Sequence, residues 1–242
     1  MHTDLSLFYK ILVLVEDQGS ITLADLKPFG NVRQTLGALG RLEGLRYIER
    51  NKPDGGEPYF TLTDEGDTAL ANILESIPRE GKTWDGKWRM ILFDVPETKR
   101  TVRQLYRLKL LEYGARMLQS SVWITPELGV VTRFREAIAH TEFADAVYYL
   151  EADMLPGGQM NIRELWNLDK VEDEYKMLFQ AFKQQVIRAS KADNRTYLAK
   201  CMMVQLALTM RKDPQLPADL MPRKWIGLEA ITWYGKLRAL CQ

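Results

Sequence analysis

The stretch Asn31–Gly66, NVRQTLGALGRLEGLRYIERNKPDGGEPYFTLTDEG, constrains the fold more than any other part of the chain, because it runs helix, hairpin and helix start together with little linking sequence. Asn31 is a good N-cap, and Val32, Leu36, Leu39 and Leu42 recur at three- and four-residue intervals, which predicts one buried stripe on a helix. The opposite face carries Arg33, Gln34, Gly37, Ala38 and Arg41. Two guanidiniums, an amide and two small residues suit entry into a major groove, although a solvated helix face has the same composition. Gly44 is expected to stop the helix. Arg46–Arg50 then alternates as a strand, Lys52–Glu57 supplies turn residues, and Tyr59–Leu62 returns as a second strand. Thr63, followed by Asp64 and Glu65, caps a helix with apolar positions Ala69, Leu70, Ile73, Leu74 and Ile77. Upstream, Leu5, Phe8, Leu12 and Val15 predict a first helix, and Thr22–Asp25 a second that ends near Pro28 or Gly30. That order is the plan of a winged helix-turn-helix over residues 1–80. Its candidate DNA contacts are Asn31, Arg33, Gln34, Gly37 and Arg41 on the helix and Lys52 on the wing.

Charge placement bears on that expectation more than total charge does. The 242 residues carry a net charge of +1, and residues 1–80 hold 8 basic against 13 acidic side chains, a net of −5. Residues 27–52, however, hold 6 basic against 2 acidic, a net of +4. Screening over roughly 8–10 Å at physiological salt makes the local excess the one a polyanion meets. No apolar run approaches the eighteen or so residues of a membrane span, and the N-terminus has no basic segment leading into an apolar one, so a cytoplasmic protein is expected. Cys201 and Cys241 lack metal-motif spacing and are expected to be free thiols, and His2 and His140 are far apart in sequence. Neither a Walker loop nor G-x-G-x-x-G, G-x-S-x-G or H-E-x-x-H occurs. The expectation is a non-enzyme without a cofactor.

Beyond Pro78–Thr83 the pattern changes. Lys87–Val95 reads as a strand, Glu97–Tyr113 as a helix, Arg116–Ile124 as one or two strands, Val130–Ala139 as a helix and Ala146–Glu151 as a strand. This succession predicts a βαββαβ ferredoxin-like sandwich over residues 84–155. On its first helix Val102, Leu105, Tyr106 and Tyr113 share the expected core side. Arg100, Arg103 and Arg107 line another face, either solvated and paired with Glu97 or Glu112 or available to phosphate or a partner. Residues 156–242 are mainly helical, with helices expected at Val171–Ser190, Thr196–Met210 and Leu228–Leu240. These form a bundle or a dimerisation arm. Trp225, Trp233, Tyr234, Arg223 and Lys224 bring apolar and cationic side chains together in one segment. The predicted class is α+β.

WDGKWRMILFDVPE, the arginine-rich helix and YGARMLQSSVWITP together resemble the central region of the PaaX family of bacterial transcriptional repressors. Leu165–Leu168 with Tyr175 and Phe179, the segment Asp213–Gly227, and Val32–Leu42 with Tyr59 and Leu62–Gly66 resemble its other parts, so the likeness spans nearly the whole chain. It implies a homodimeric repressor of a catabolic operon that binds a double-stranded DNA operator and is released by a small acyl-coenzyme A. The arginines Arg100, Arg103 and Arg107 and the cluster Arg223, Lys224 and Trp225 are then the effector candidates. The middle segment also resembles the small ferredoxin-like nuclease of CRISPR spacer integration, in which an aspartate at the end of the first strand binds a divalent metal. Asp94 holds that position here. The alternative is thus a metal-dependent nuclease with two Asp94 carboxylates meeting at a dimer interface, although a strand-end aspartate is also a common cap or turn former.

Overall fold

The computed structural model describes residues 4–75, 83–153 and 162–242. His2, Ile77, most of the Pro78–Thr83 junction and the Leu155–Gly158 turn lie outside the described residues. By contact the chain divides into two compact units, and neither is continuous: the first gathers 1–79, 171–213 and 226–242, the second 80–170 and 214–225. The helices expected as a separate C-terminal domain therefore group with the N-terminal residues. Mixed α and β structure is present in both parts of the chain, as the sequence predicted.

The chain opens with α1 (Leu7–Gln18), β1 (Ser20–Thr22), α2 (Val32–Gly44), β2 (Ile48–Asn51), β3 (Tyr59–Leu62) and α3 (Asp64–Leu74). It continues with β4 (Trp88–Phe93), α4 (Arg100–Tyr113), β5 (Arg116–Gln119), β6 (Val122–Thr125), α5 (Leu128–Ile138) and β7 (Val147–Ala152). The last elements are α6 (Ile162–Leu165), α7 (Leu168–Ala189), α8 (Arg195–Met210) and α9 (Glu229–Ala239).

In the first unit, α1 is apolar on nearly every side, and a helix of that kind must be surrounded. Ile11 through Val15 are all buried, and α1 packs against α2, α3, α8 and the small sheet. The helix ends at Gly19, whose φ of 76° suits a residue without a side chain. The second helix expected from Thr22–Asp25 is not an α-helix. Asp25 Oδ2 instead accepts from the Thr22 backbone N–H at 2.7 Å and from its hydroxyl at 2.8 Å, closing a turn that continues into a short 3₁₀ segment, Lys27–Phe29. Pro28, which has no N–H to donate, sits in the first turn of that segment, and Gly30 at φ 85° ends it. Thr22 also holds the Asp25 carboxyl below the usual carboxylate range.

The hairpin forms as expected. β3 lies between β1 and β2, all antiparallel, with Ile48 opposite Leu62 and Asn51 opposite Tyr59. Its entry differs from expectation in one respect: α2 runs through Gly44, and the left-handed residue is Arg46 at φ 59°. Thr63 closes this corner. Its hydroxyl donates to Arg46 O at 2.5 Å, its N–H donates to Tyr47 O at 3.1 Å, and its Oγ1 accepts from the Gly66 N–H at 3.1 Å to cap α3. Gly66 sits so close to the β2 entry that a Cβ there would fall 2.1 Å from Tyr47 O.

The second unit has the predicted β-α-β-β-α-β succession, with strand order β5-β6-β4-β7 and every pairing antiparallel. Ile91 and Phe93 of β4 join Tyr106, Leu110, Trp123 and Phe134 in the core between sheet and helices. Tyr106 meets Phe93 and Phe134 edge-on, and its hydroxyl shares a hydrogen bond of 2.5 Å with Thr141. Leu105, expected on the core side with Tyr106, is 39% exposed, because Tyr106 and Leu110, one turn apart, form the inward line and Leu105 lies off it. At the start of the sheet Arg89 is buried and donates to Pro126 O at 2.8 Å, to Lys87 O at 3.1 Å and to both carboxylate oxygens of Asp85.

Two outcomes follow from these contacts. Gly66→Ala is expected to destabilise the first unit by about 3 kcal/mol, the upper end of over-packing costs, because the obstructing atom is a backbone oxygen fixed by Thr63; urea unfolding of the variant checks it. The Arg89 guanidinium holds the Asp85 carboxyl down to about 2. A carboxylate with a lowered folded-state value stabilises the fold fully above its unfolded value of roughly 4 and loses that contribution as pH falls toward 2. The unfolding midpoints of the parent and Asp85→Asn should therefore differ at pH 6 and converge near pH 2; a gap that stays constant would show that the pair contributes by shape alone.

Candidate nucleic-acid interface

The face of α2 follows from how its buried side is built. Asn31 Oδ1 accepts from the Gln34 N–H at 3.1 Å, so the expected N-cap is formed and the asparagine is committed to holding the helix start. Thr35, Ala38, Leu39 and Leu42 are the buried positions. The predicted stripe is thus rotated: Val32 is 70% exposed and Leu36 48%, whereas Thr35 is 4% and Ala38 8%. Burial of Thr35 is tolerated because its hydroxyl donates to Asn31 O at 2.9 Å. The exposed face contains Val32, Arg33, Gln34, Leu36, Gly37, Gly40 and Arg41, with Ala38 removed from it. A Cβ on Gly37 or Gly40 would meet nothing within 4 Å, so packing within the chain does not require glycine at either position.

Two of the basic residues are oriented by aromatic rings. The Arg41 guanidinium lies 5.2 Å from the centre of the Phe8 ring on α1, and that of Arg50 lies 5.9 Å from the Phe60 ring. Lys52 is exposed at the start of the β2–β3 loop, where Gly55 has a φ of 72° and the Gly56 N–H donates to Pro53 O at 3.2 Å. Asn31, Arg33, Gln34, Gly37, Arg41 and Lys52 all belong to the first unit.

The arginines of α4 do not form a uniform stripe. Arg100 is exposed at the first turn, whereas Arg103 donates to Val95 O at 2.7 Å and lies 3.5 Å from Ser121 Oγ. Arg107 is half-buried, with an Nε that has no hydrogen-bond partner among the described residues. Glu112, a proposed partner of the stripe, pairs with Lys109 at 3.0 Å. Arg223 and Lys224 are exposed, but Trp225 is 6% exposed and belongs to the interior. Trp233 stacks at 5.7 Å on Phe179 and is a core residue of the first unit.

Two features went unnoticed in the sequence. One is the exposure of Val32 and Leu36, which the inward placement of Thr35 and Ala38 requires. The other is a cavity of about 360 Å³ in the first unit, lined by Leu5, Lys10, Phe29, Tyr197, Cys201 and Met202 among others. Lys10 is paired there with Asp4 at 2.7 Å. Burial pushes the Cys201 thiol up to about 12, so it is held as the neutral thiol; Cys201 and Cys241 are both free. No local motif announces a cavity whose walls come from residues so distant in sequence.

Asp94 is exposed at the end of β4, and its N–H donates to Ala146 O at 2.9 Å. Among the described residues no three His, Cys, Asp or Glu side chains gather to hold a metal ion, and no helix is long and apolar enough to cross a membrane.

Residues 81–163 match the family model of the PaaX protein central Cas2-like domain, and residues 166–242 match that of the PaaX-like protein C-terminal domain. The transcriptional repressor PaaX of Escherichia coli strain K12 is 27% identical, with 79% of this chain and 69% of the relative covered. Among solved structures, the uncharacterized protein Rv0674 from Mycobacterium tuberculosis superposes with a TM-score of 0.55 at 18% identity, over 95% of this chain and 92% of that one, a likeness of fold. The two family matches leave only the N-terminal third uncovered, and on them the chain belongs to the PaaX family.

Proposed function

We propose that the protein is a sequence-specific DNA-binding transcriptional regulator whose first unit begins with a winged helix-turn-helix. The observation that carries this reading is the exposed face of α2, where Arg33, Gln34 and Arg41 surround two glycines that nothing inside the fold requires. Glycine in a helix interior costs about 1 kcal/mol against alanine, and a groove that must approach the backbone closely accounts for that cost. The succession α1, β1, turn, α2, β2, β3, α3 and the local charge of residues 27–52 support it, as does kinship with a named repressor. Arg33, Gln34 and Arg41 enter the major groove, and Lys52 on the wing contacts backbone phosphate. A homodimer would sum two half-sites and so offset the acidic balance of residues 1–80.

Binding of purified protein to duplexes from its own upstream region, competed with nonspecific DNA, tests the reading. The Arg33→Ala/Arg41→Ala pair is expected to lose specific binding while remaining folded. Lys52→Ala should weaken binding to all sequences alike and reduce the salt slope by about one. Unchanged affinity in the folded double variant would remove the model.

The regulator is further proposed to repress a catabolic operon and to release its operator on binding an acyl-coenzyme A. Two seats compete for that effector. The exposed Arg100, Arg223 and Lys224 offer cations to coenzyme A phosphates, whereas the cavity beside Phe29, walled by Leu5, Leu198 and Met202 together with Lys10, Gln185 and Arg188, lies two residues before the cap of α2. If the cavity is the seat, Leu198→Trp, which fills it, should abolish release by an acyl-coenzyme A and leave operator binding intact. If the cations are the seat, Arg100→Ala with Arg223→Ala should weaken release by about tenfold, and the tryptophan should do nothing. Operator binding measured against increasing acyl-coenzyme A distinguishes them.

A further inference from the structure

The fold leaves two large apolar side chains exposed on one face of α2. Val32 and Leu36 are separated by one helical turn, lie on the same flank of the face and remain 70% and 48% exposed. Their neighbours on that face are Arg33, Gly37 and Gly40. A second copy of this face would bring the same positive charge, from Arg33 and Arg41, which opposes self-association. A polyanion faces no such penalty, and residues 27–52 carry the +4 excess that would attract one. The major groove of DNA offers one apolar feature, the C5-methyl group of thymine, and recognition helices contact base edges with the residues of their first turns.

We infer that Val32 and Leu36 are specificity-determining residues that contact thymine methyl groups, so that the operator carries A·T pairs where the first two turns of α2 enter the groove. This rests on the DNA-binding reading above and adds to it the identity of the bases read.

Thymine-to-uracil replacement tests the inference, since it removes the methyl group and leaves every hydrogen-bonding edge unchanged. Binding sites are selected from random duplexes with the full-length protein, and each thymine in the selected site is then replaced singly. At one or two positions in each half-site, uracil is expected to weaken binding by about three- to fivefold, the effect of one methyl-sized apolar contact. Leu36→Ala should weaken binding to the thymine duplex by at least that factor and bind the thymine and uracil duplexes equally at the position it reads. Because Leu36 is exposed, the alanine variant should unfold at the parent's temperature, which confirms that lost affinity is not lost fold. Sites selected tightly but indifferent to uracil at every position would overturn the inference while leaving DNA binding standing. Failure to select any site would overturn the DNA-binding reading itself.

Discussion

The first unit depends on the enclosure of α1. Five consecutive buried residues, Ile11 to Val15, point in every direction around the helix, so no single partner can cover them. The buried side of α2 packs against α1, and α8, from near the other end of the chain, covers another side. Lys200 of α8 fastens that packing through ion pairs with Glu16 at 2.8 Å and Asp17 at 3.0 Å. The exposed face of α2 is therefore set by what its other face must do. Thr35, Ala38, Leu39 and Leu42 turn inward, and Phe8 of α1 lies under the Arg41 guanidinium.

In the second unit, arginine shows how far one residue type can diverge in role. Arg89 is buried because a carboxylate and two backbone carbonyls accept its hydrogen bonds, an arrangement that meets much of the desolvation cost of the cation. Arg103 is drawn inward by a single carbonyl, Val95 O, and Arg100, one turn before it, remains in solvent. Spacing along a helix places such residues within reach of one another. The acceptors each finds depend on the chain beside it, which for Arg103 is the segment leaving β4.

That distinction explains what the sequence disclosed. Signals carried by neighbouring residues were legible: the Asn31 and Thr63 caps, the hairpin between β2 and β3, and the β-α-β-β-α-β succession with boundaries close to those observed. Choices settled by packing were not. The rule that large apolar residues go inside assigned Val32 and Leu36 to the core, yet the buried side of α2 takes Ala38 and a hydroxyl-satisfied Thr35 instead. The same holds for the C-terminal helices, whose apolar stripes are plain in the sequence while their partners are not. Of the candidate interface, the charged members were readable from residue type; the exposed apolar pair and the cavity beside Phe29 were not.

The pairing of α1 with α8 also sets an order of events during synthesis. At roughly 5–20 residues per second, the ribosome completes α8 on the order of 10–40 s after α1 has emerged. For that interval the apolar side of α1 that α8 will cover has no native partner, whereas residues 80–153 already contain every strand and both covering helices of the second sheet. The sandwich can thus form on the nascent chain while the unit bearing α2 waits for the last residues. A chain interrupted late in translation would carry a finished second sheet and an α1 still bare on the side that α8 covers.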